Sequence, residues 1–445
     1  MTLKYVVTDL GTLGGLESDA LGINIAGQAT GWSRLSDGTQ RAYRTAPNRP
    51  IQPADQLGTL GGATSIGYAI NSSGQVTGDA DTALIGPFNS VVRRAFRADP
   101  GQPLMVDLGT LAPAGGVNGF NNSGGRAIND AAVVVGFATV PPDGCGSSSH
   151  AFRTAPGGPV VPGASDLGTL VPAPFANCRS STGWGVNNVN TAVGTAATVV
   201  STGFPNHAFR FDNNAMVGVV ALAGRDSTAF AINDIGEIVG QSNIDSDLFN
   251  NHAFLNAGPG TRDLGTLGGS YSAAYAINTR YPQLSQVVGQ ASTTNNAAFH
   301  AFLWTGNLLD GGSMIDLNTM IASGQGWELL TARGINNKGQ IVGAGRLNAV
   351  QLTRAFRLDP SDVAASNLIA LLSDPALALT AGQIGALTDK LQNTTASIQA
   401  GLNKQAKNQL NAFNSSVQTY WKTGKISSAT AATLTAAANA IIAVL

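Results

Sequence analysis

Charge is scarce in this chain: Asp, Glu, Lys and Arg make up only 11% of its 445 residues, and the formal net charge is −1. A nucleic-acid partner needs a basic face that neutralises phosphates, so that class of function is argued against at once. Long apolar runs are missing as well, none approaching the ~18–20 residues of a membrane-spanning helix. No signal-peptide pattern stands at the start, where Met1-Thr2-Leu3-Lys4 leads directly into a strand-like Tyr5-Val6-Val7. A secreted form would therefore be a mature one, its targeting segment removed. Nucleophile elbow, phosphate-binding loop and zinc-ligand cluster are all lacking. Scarce charge is not disorder here, because 43% of the residues are apolar and can bury a core. The 55 glycines suit short strands joined by tight turns.

What is present is a repeat. An apolar residue precedes an Asn, and a Gly follows seven positions later: Asn24 to Gly31, Asn71 to Gly78, Asn129 to Gly136, Asn187 to Gly194, Asn233 to Gly240 and Asn336 to Gly343. A seventh copy, Asn278 to Gly289, carries four extra residues. Next comes a His/Arg-Ala-aromatic triplet at Arg41, Arg94, His150, His207, His252, His300 and Arg354. The third signature, Asp-Leu-Gly-Thr-Leu, begins at Asp9, Asp107, Asp166 and Asp263 and is blurred at Gln56, Ala221 and Asp316. The Asn residues lie 47, 58, 58, 46, 45 and 58 apart, so each unit is near fifty residues with elastic loops.

Each unit reads as four short strands. Segments such as Phe230-Ala231-Ile232 precede the Asn, and segments such as Glu237-Ile238-Val239-Gly240 follow it. The Asn-x-x-Gly between them is hairpin chemistry, Asn opening the turn and Gly supplying positive φ. Asn190 can stand in the Gly place, whereas Ala132 is a misfit. The triplet and the Asp-Leu-Gly-Thr-Leu segment supply the third and fourth strands. Four-stranded units of this length are propeller blades. The chain enters on a fourth-strand motif and leaves the repeats after a third-strand one, so residues 5 to 13 are expected to complete the seventh blade and remove an open edge. The expected fold is an all-β seven-bladed β-propeller over 1–360, closed by the N-terminal strand. A superhelical solenoid is the alternative, but it would not need this offset.

The His-Ala-Phe triplets and the Asp-Leu-Gly-Thr-Leu-Gly-Gly runs at 9–15 and 263–269 resemble the HAF repeat family of bacterial extracellular proteins. The resemblance covers roughly residues 5 to 358. It implies secretion, but no established activity and no catalytic residues.

From Ser361 onward there is neither Glu nor Arg, Ala and Leu dominate, and the period becomes helical. The pattern predicts helices near 362–373, 380–400, 404–421 and 427–444. Thr380 and Ser427 are the candidate N-caps, and Gly424 a stop. Leu402, Ala406, Leu410, Phe413 and Val417 form one apolar face. The stretches 408–413 and 437–442 resemble the FIMAH domain, a small helical module attached to secreted bacterial enzymes and surface proteins. Residues 361–445 are thus expected to form a small all-α bundle separable from the propeller.

Strand alternation places the Asn-x-x-Gly turns on one face. The second-to-third-strand loops and the links between blades share the other. Cys145 and Cys178 both fall on that loop face, in adjacent blades, where they are either a disulfide or two separate thiols. The recurring His and Asp read as structural, since a catalytic group is needed once and not in every repeat. Trp32, Trp184, Tyr271 and Trp327, near the loop face, are candidates for stacking on sugar rings or for packing between blades. Asn243, Asp245 and Asp247 alternate oxygen ligands as a calcium loop does, though without its Gly, and otherwise make a polar surface loop. Glycoside chemistry would have to draw a pair of carboxylates from Glu17, Asp19, Asp79, Asp81, Asp226, Asp245 and Asp247. These features point to a secreted or cell-surface binding or scaffold protein that recognises a polysaccharide or protein through its loop face. The alternatives are a secreted hydrolase or lyase of an extracellular polymer, and a self-assembling structural protein bridged by its helical tail.

Overall fold

The computed structural model describes residues 4–86, 89–112, 121–140, 148–171, 179–198, 205–245, 250–258, 260–279 and 284–445. They are mostly β-strand, with four helices at the C-terminal end. Two compact units emerge, one of residues 9–317 and 327–356, the other of 1–8, 318–326 and 357–445.

Within the larger unit each repeat begins with three antiparallel strands in chain order, such as Ser18–Ile23, Ala29–Arg34 and Gln40–Arg44, or Ser181–Val186, Ala192–Ala197 and Asn206–Asp212. A fourth strand follows in four repeats: Val106–Asp107, Ala215–Gly218, Gly260–Asp263 and Gly311–Asp316. In the first and third it shrinks to one bridge, Tyr43 to Gln56 and Phe152 to Asp166, so the expected fourth strand is barely formed there. Where the motif carries its Asp, it sets the point at which this strand ends. The Asp carboxylate accepts the N–H of the Gly two residues on, as Asp166 does from Gly168 at 2.8 Å, and that Gly turns at φ 71°. The chain therefore leaves the ladder at the Asp. In the last sheet Tyr5–Gly11 lies beside Arg354–Pro360, followed by Ile341–Leu347 and Trp327–Ile335.

The Asn of every repeat does more than open its own turn. Its side-chain amide donates to the backbone carbonyl of the next Asn: Asn24 to Asn71 at 3.0 Å, Asn71 to Asn129 at 3.0 Å, Asn129 to Asn187 at 2.9 Å and Asn187 to Asn233 at 3.1 Å. Asn233 reaches Asn278 at 3.5 Å and Asn278 reaches Asn336 at 2.8 Å. Asn336 then donates to Asn24 at 2.8 Å, so the series returns to its start. The second amide proton goes in several repeats to a Gln or Glu carboxyl or amide oxygen, such as Gln28, Gln75 or Glu237. Ala132 occupies the Gly place at φ 58°, a conformation that strains a Cβ, but its methyl is buried among Ile128, Val134 and Val160.

The Gly seven residues after the Asn answers a different need. The first strand of each repeat is bulged, so one of its carbonyls comes close to this position: a Cβ on Gly136 would lie 1.9 Å from the Gly124 oxygen. A second staple crosses from one repeat to the next. Ser123, Ser181 and Ser227, which open their first strands, and Ser272, within Gly268–Ile277, accept the N–H of the Ala in the preceding triplet. Ser18 does the same for Ala355 across 337 residues. Several of these hydroxyls also donate to the carbonyl of the Asp-Leu-Gly glycine, as Ser272 does to Gly265.

In the smaller unit, α1 (Ser361–Leu371), α2 (Ala381–Gln399), α3 (Asn403–Lys422) and α4 (Ser428–Val444) form an α-helical bundle. Thr380 closes a capping box with Gln383, Ser427 caps through Thr430, and Gly424 turns at φ 70°. Leu410, Phe413 and Val417 are buried from one face of α3, whereas Leu402 is its half-exposed N-cap residue. Val6 belongs to the same core, with Leu368, Leu372, Leu434 and Ile441, and Ala322 packs against it.

Candidate binding recess

Three residues before each Asn the first strand bulges, and the seven residues there are Leu21, Tyr68, Arg126, Trp184, Phe230, Tyr275 and Arg333. A bulged residue is displaced from the pleat and turned out of the ladder. These side chains touch in series. Arg126 lies 4.0 Å from the Tyr68 ring and 5.4 Å from that of Trp184, Trp184 meets Phe230 edge-on at 5.8 Å, and Phe230 meets Tyr275 at 5.4 Å. Arg333 sits 4.7 Å over Tyr275. The guanidinium groups thus spread their charge over aromatic faces.

Two buried carboxylates accompany them. Asp79 is 3.2 Å from Arg126 and 3.1 Å from Arg93, and its pKa is still raised, since burial outweighs both cations. Asp19 is pushed up to about 6 by burial, against the pull of Arg333 and of the Ala20 backbone. Neither is an exposed acid.

A recess of about 460 Å3 opens between the sixth and seventh repeats. Gln290 and Phe299 line it from one side, and Glu328, Thr331 and Arg346 from the other. Phe299 is 48% exposed and edge-on to Tyr271 at 5.5 Å. Glu328 and Arg346 form an ion pair at 3.4 Å, so the lining is electrically balanced. The buried Thr331 hydroxyl and Arg346 Nε have no hydrogen-bond partner.

Of the four aromatics singled out in the sequence, two adjoin this recess: Tyr271 through Phe299, and Trp327, which precedes Glu328 and lies 6.1 Å from the Phe356 ring. Tyr271 also donates from its hydroxyl to Gln241 at 2.9 Å. Trp184 is one of the bulged residues, and Trp32 stands in its strand opposite Asp19 and Ala42. Three of the four recurring His residues pair with the recurring Asp, His150 with Asp166 at 2.9 Å, His252 with Asp263 at 2.7 Å and His300 with Asp316 at 2.6 Å, while His207 meets the Arg225 carbonyl at 3.1 Å. Arg354 takes the same place toward Asp9 at 2.9 Å. For the calcium candidates, Asn243 donates to Asn251 at 3.1 Å and accepts from the Asp226 N–H. Asp245 accepts from Asn250 at 3.0 Å, and Asp247 lies outside the described residues. No group of three His, Cys, Asp or Glu placed to hold a metal occurs among the described residues. Cys145 and Cys178 also lie outside them.

Sequence reasoning passed over the bulged position, the stapling Ser six residues before the Asn, and the recess residues Phe299, Glu328 and Arg346. The first two carried a periodic signal. The recess carried none.

No curated protein matches the sequence. Among solved structures, the chain is similar to the β-propeller domain of the Trilobed protease from Pyrococcus furiosus, with 9% identity, 77% of this chain and 93% of that chain covered, and a TM-score of 0.44. It is also similar to a protein of unknown function from Dyadobacter fermentans (11% identity, 80% and 99% covered, TM-score 0.34). A third is a putative glycosidase from Bacteroides thetaiotaomicron (11%, 64% and 83%, TM-score 0.26). No helix among the described residues is long and apolar enough to cross a membrane. Residues 376–443, which span α2, α3 and all but the last residue of α4, match the FIMAH domain.

Proposed function

We propose that this is an extracellular recognition protein whose seven HAF-type repeats are the blades of a propeller completed by the N-terminal strand, with a FIMAH-type helical module for attachment. The return of the Asn series from Asn336 to Asn24 supports the closed, seven-membered arrangement. On that arrangement the bulged residues from Leu21 to Arg333 face the central axis, and their contacts fill it. Binding of an extracellular polysaccharide then falls to the loop face, with a protein partner as the other reading. The FIMAH match favours an extracellular setting.

The observation that carries binding over hydrolysis is the pairing of acids. A glycosidase needs two carboxylates facing one bond, roughly 5–10 Å apart and free to exchange protons. Here Asp79 is engaged by two guanidinium groups, Asp19 lies buried in the field of Arg333, and Glu328, which lines the recess, is paired with Arg346. The test is affinity electrophoresis of the full chain in gels containing soluble polysaccharides, run beside a reducing-end assay on the same polymers. Retardation without release of reducing ends is expected. Steady release of reducing ends would establish the hydrolase instead.

A further inference from the structure

Resting on that reading, we propose that the recess between the sixth and seventh repeats is a subsite for one neutral sugar ring of the polymer. Its chemistry is mixed in a way that few other ligands match. Phe299 offers an aromatic face, nearly half exposed, at the edge of a polar cavity. Leaving such a ring in water is unfavourable, and the C–H face of a pyranose is a partner that covers it without demanding a wholly apolar pocket. Around it stand Gln290, Glu328 and Arg346, which offer both donors and acceptors. The unpartnered Arg346 Nε and the unpartnered Thr331 hydroxyl mark places where hydrogen bonds are still owed.

Charge decides between neutral and acidic sugars. Glu328 and Arg346 are paired at 3.4 Å and cancel. A uronate carboxylate would have to displace Glu328 from Arg346 and would meet a like charge 3.4 Å from the cation it sought. Neutral hydroxyls instead bond the carboxylate and the guanidinium together and leave the pair intact. The volume, about 460 Å3, lies within the ~300–1,000 Å3 usual for small-molecule sites and is ample for a sugar ring.

The experiment is affinity electrophoresis of the full chain against neutral glucan, mannan, xylan and galactan, and against polygalacturonate and alginate, with Phe299→Ala, Phe299→Tyr and Glu328→Gln. Thermal melts of each variant establish that it is folded. Retardation by at least one neutral polymer is expected, weakened at least tenfold by Phe299→Ala and by Glu328→Gln but retained by Phe299→Tyr. Retardation that neither Phe299→Ala nor Glu328→Gln changes would remove this subsite while leaving the binding function standing. Retardation only by the acidic polymers, strengthened by Glu328→Gln, would show an anion site in its place. No retardation by any polymer would overturn the polysaccharide reading itself.

Discussion

At the scale of single residues, two side chains report on how the repeats are held. Asn187 donates to Asn233 at 3.1 Å and accepts from the Thr191 N–H at 2.9 Å, all in a buried setting. Asn187→Ala leaves both partners unmet and is expected to lower stability by about 2–4 kcal/mol in urea unfolding. Val189→Ala, in the same turn but 69% exposed, should stay within about 0.5 kcal/mol. Asp19 gives a pH signature. Its pKa in the folded chain, about 6, lies above the ordinary carboxylate value, so the folded state holds this proton more tightly than the unfolded one. The resulting stability is fully present below about pH 4 and is lost as pH rises through 6. Asp19→Asn never ionises. It should melt like the parent at pH 4 and be more stable at pH 7.5, by up to about 3 kcal/mol. Parallel melting curves at both pH values would count against it.

At the scale of elements, the first strand of each repeat is the piece that joins neighbours, through the Asn that follows it and, in six repeats, a Ser six residues earlier. Ser123 accepts the Ala95 N–H and donates to the Gly109 carbonyl. Ser123→Ala should cost about 1–3 kcal/mol, and the amide of Ala95 should exchange faster in hydrogen-exchange measurements. This device was legible in the chain, because Ser stands six places before the Asn in six repeats. It went unread because the triplets and the Asn-Gly spacing already accounted for the strands. The bulged position was equally periodic, yet only Trp184 drew notice, and then as a lone aromatic. Helix limits were legible for a local reason: Thr380 and Ser427 satisfy N–H groups within three residues of themselves. Leu402 fooled the periodicity, since it has the right spacing but stands just outside the first turn of α3. The recess was beyond reach because Phe299, Glu328 and Arg346 come from three strands of two repeats, and nothing in their spacing brings them together.

At the scale of the whole molecule, the helices do not end their core at residue 361. Val6 is buried with Leu368 and Ile441, so the first strand contributes an apolar side chain to the helical unit. Truncation after Pro360 strips that cover, worth about 1.5–3 kcal/mol for a buried Val. The shortened chain should melt lower, with faster amide exchange over residues 5–8. Unchanged melting with those amides still protected would make the helices the independent appendage that their composition implied. The placing of that strand also sets a schedule. Six of the Asn bonds span 45–58 residues, while the one from Asn336 to Asn24 spans 312. The extra loop entropy is small, about 1.5 kcal/mol, because it grows only with the logarithm of length. Time is the larger matter. At about 5–20 residues per second, the partner strand Arg354–Pro360 emerges tens of seconds after Tyr5–Gly11 has left the ribosome. For all of that interval Tyr5–Gly11 lacks the strand it pairs with, and its bare edge is what a nascent or exported chain must keep from its neighbours.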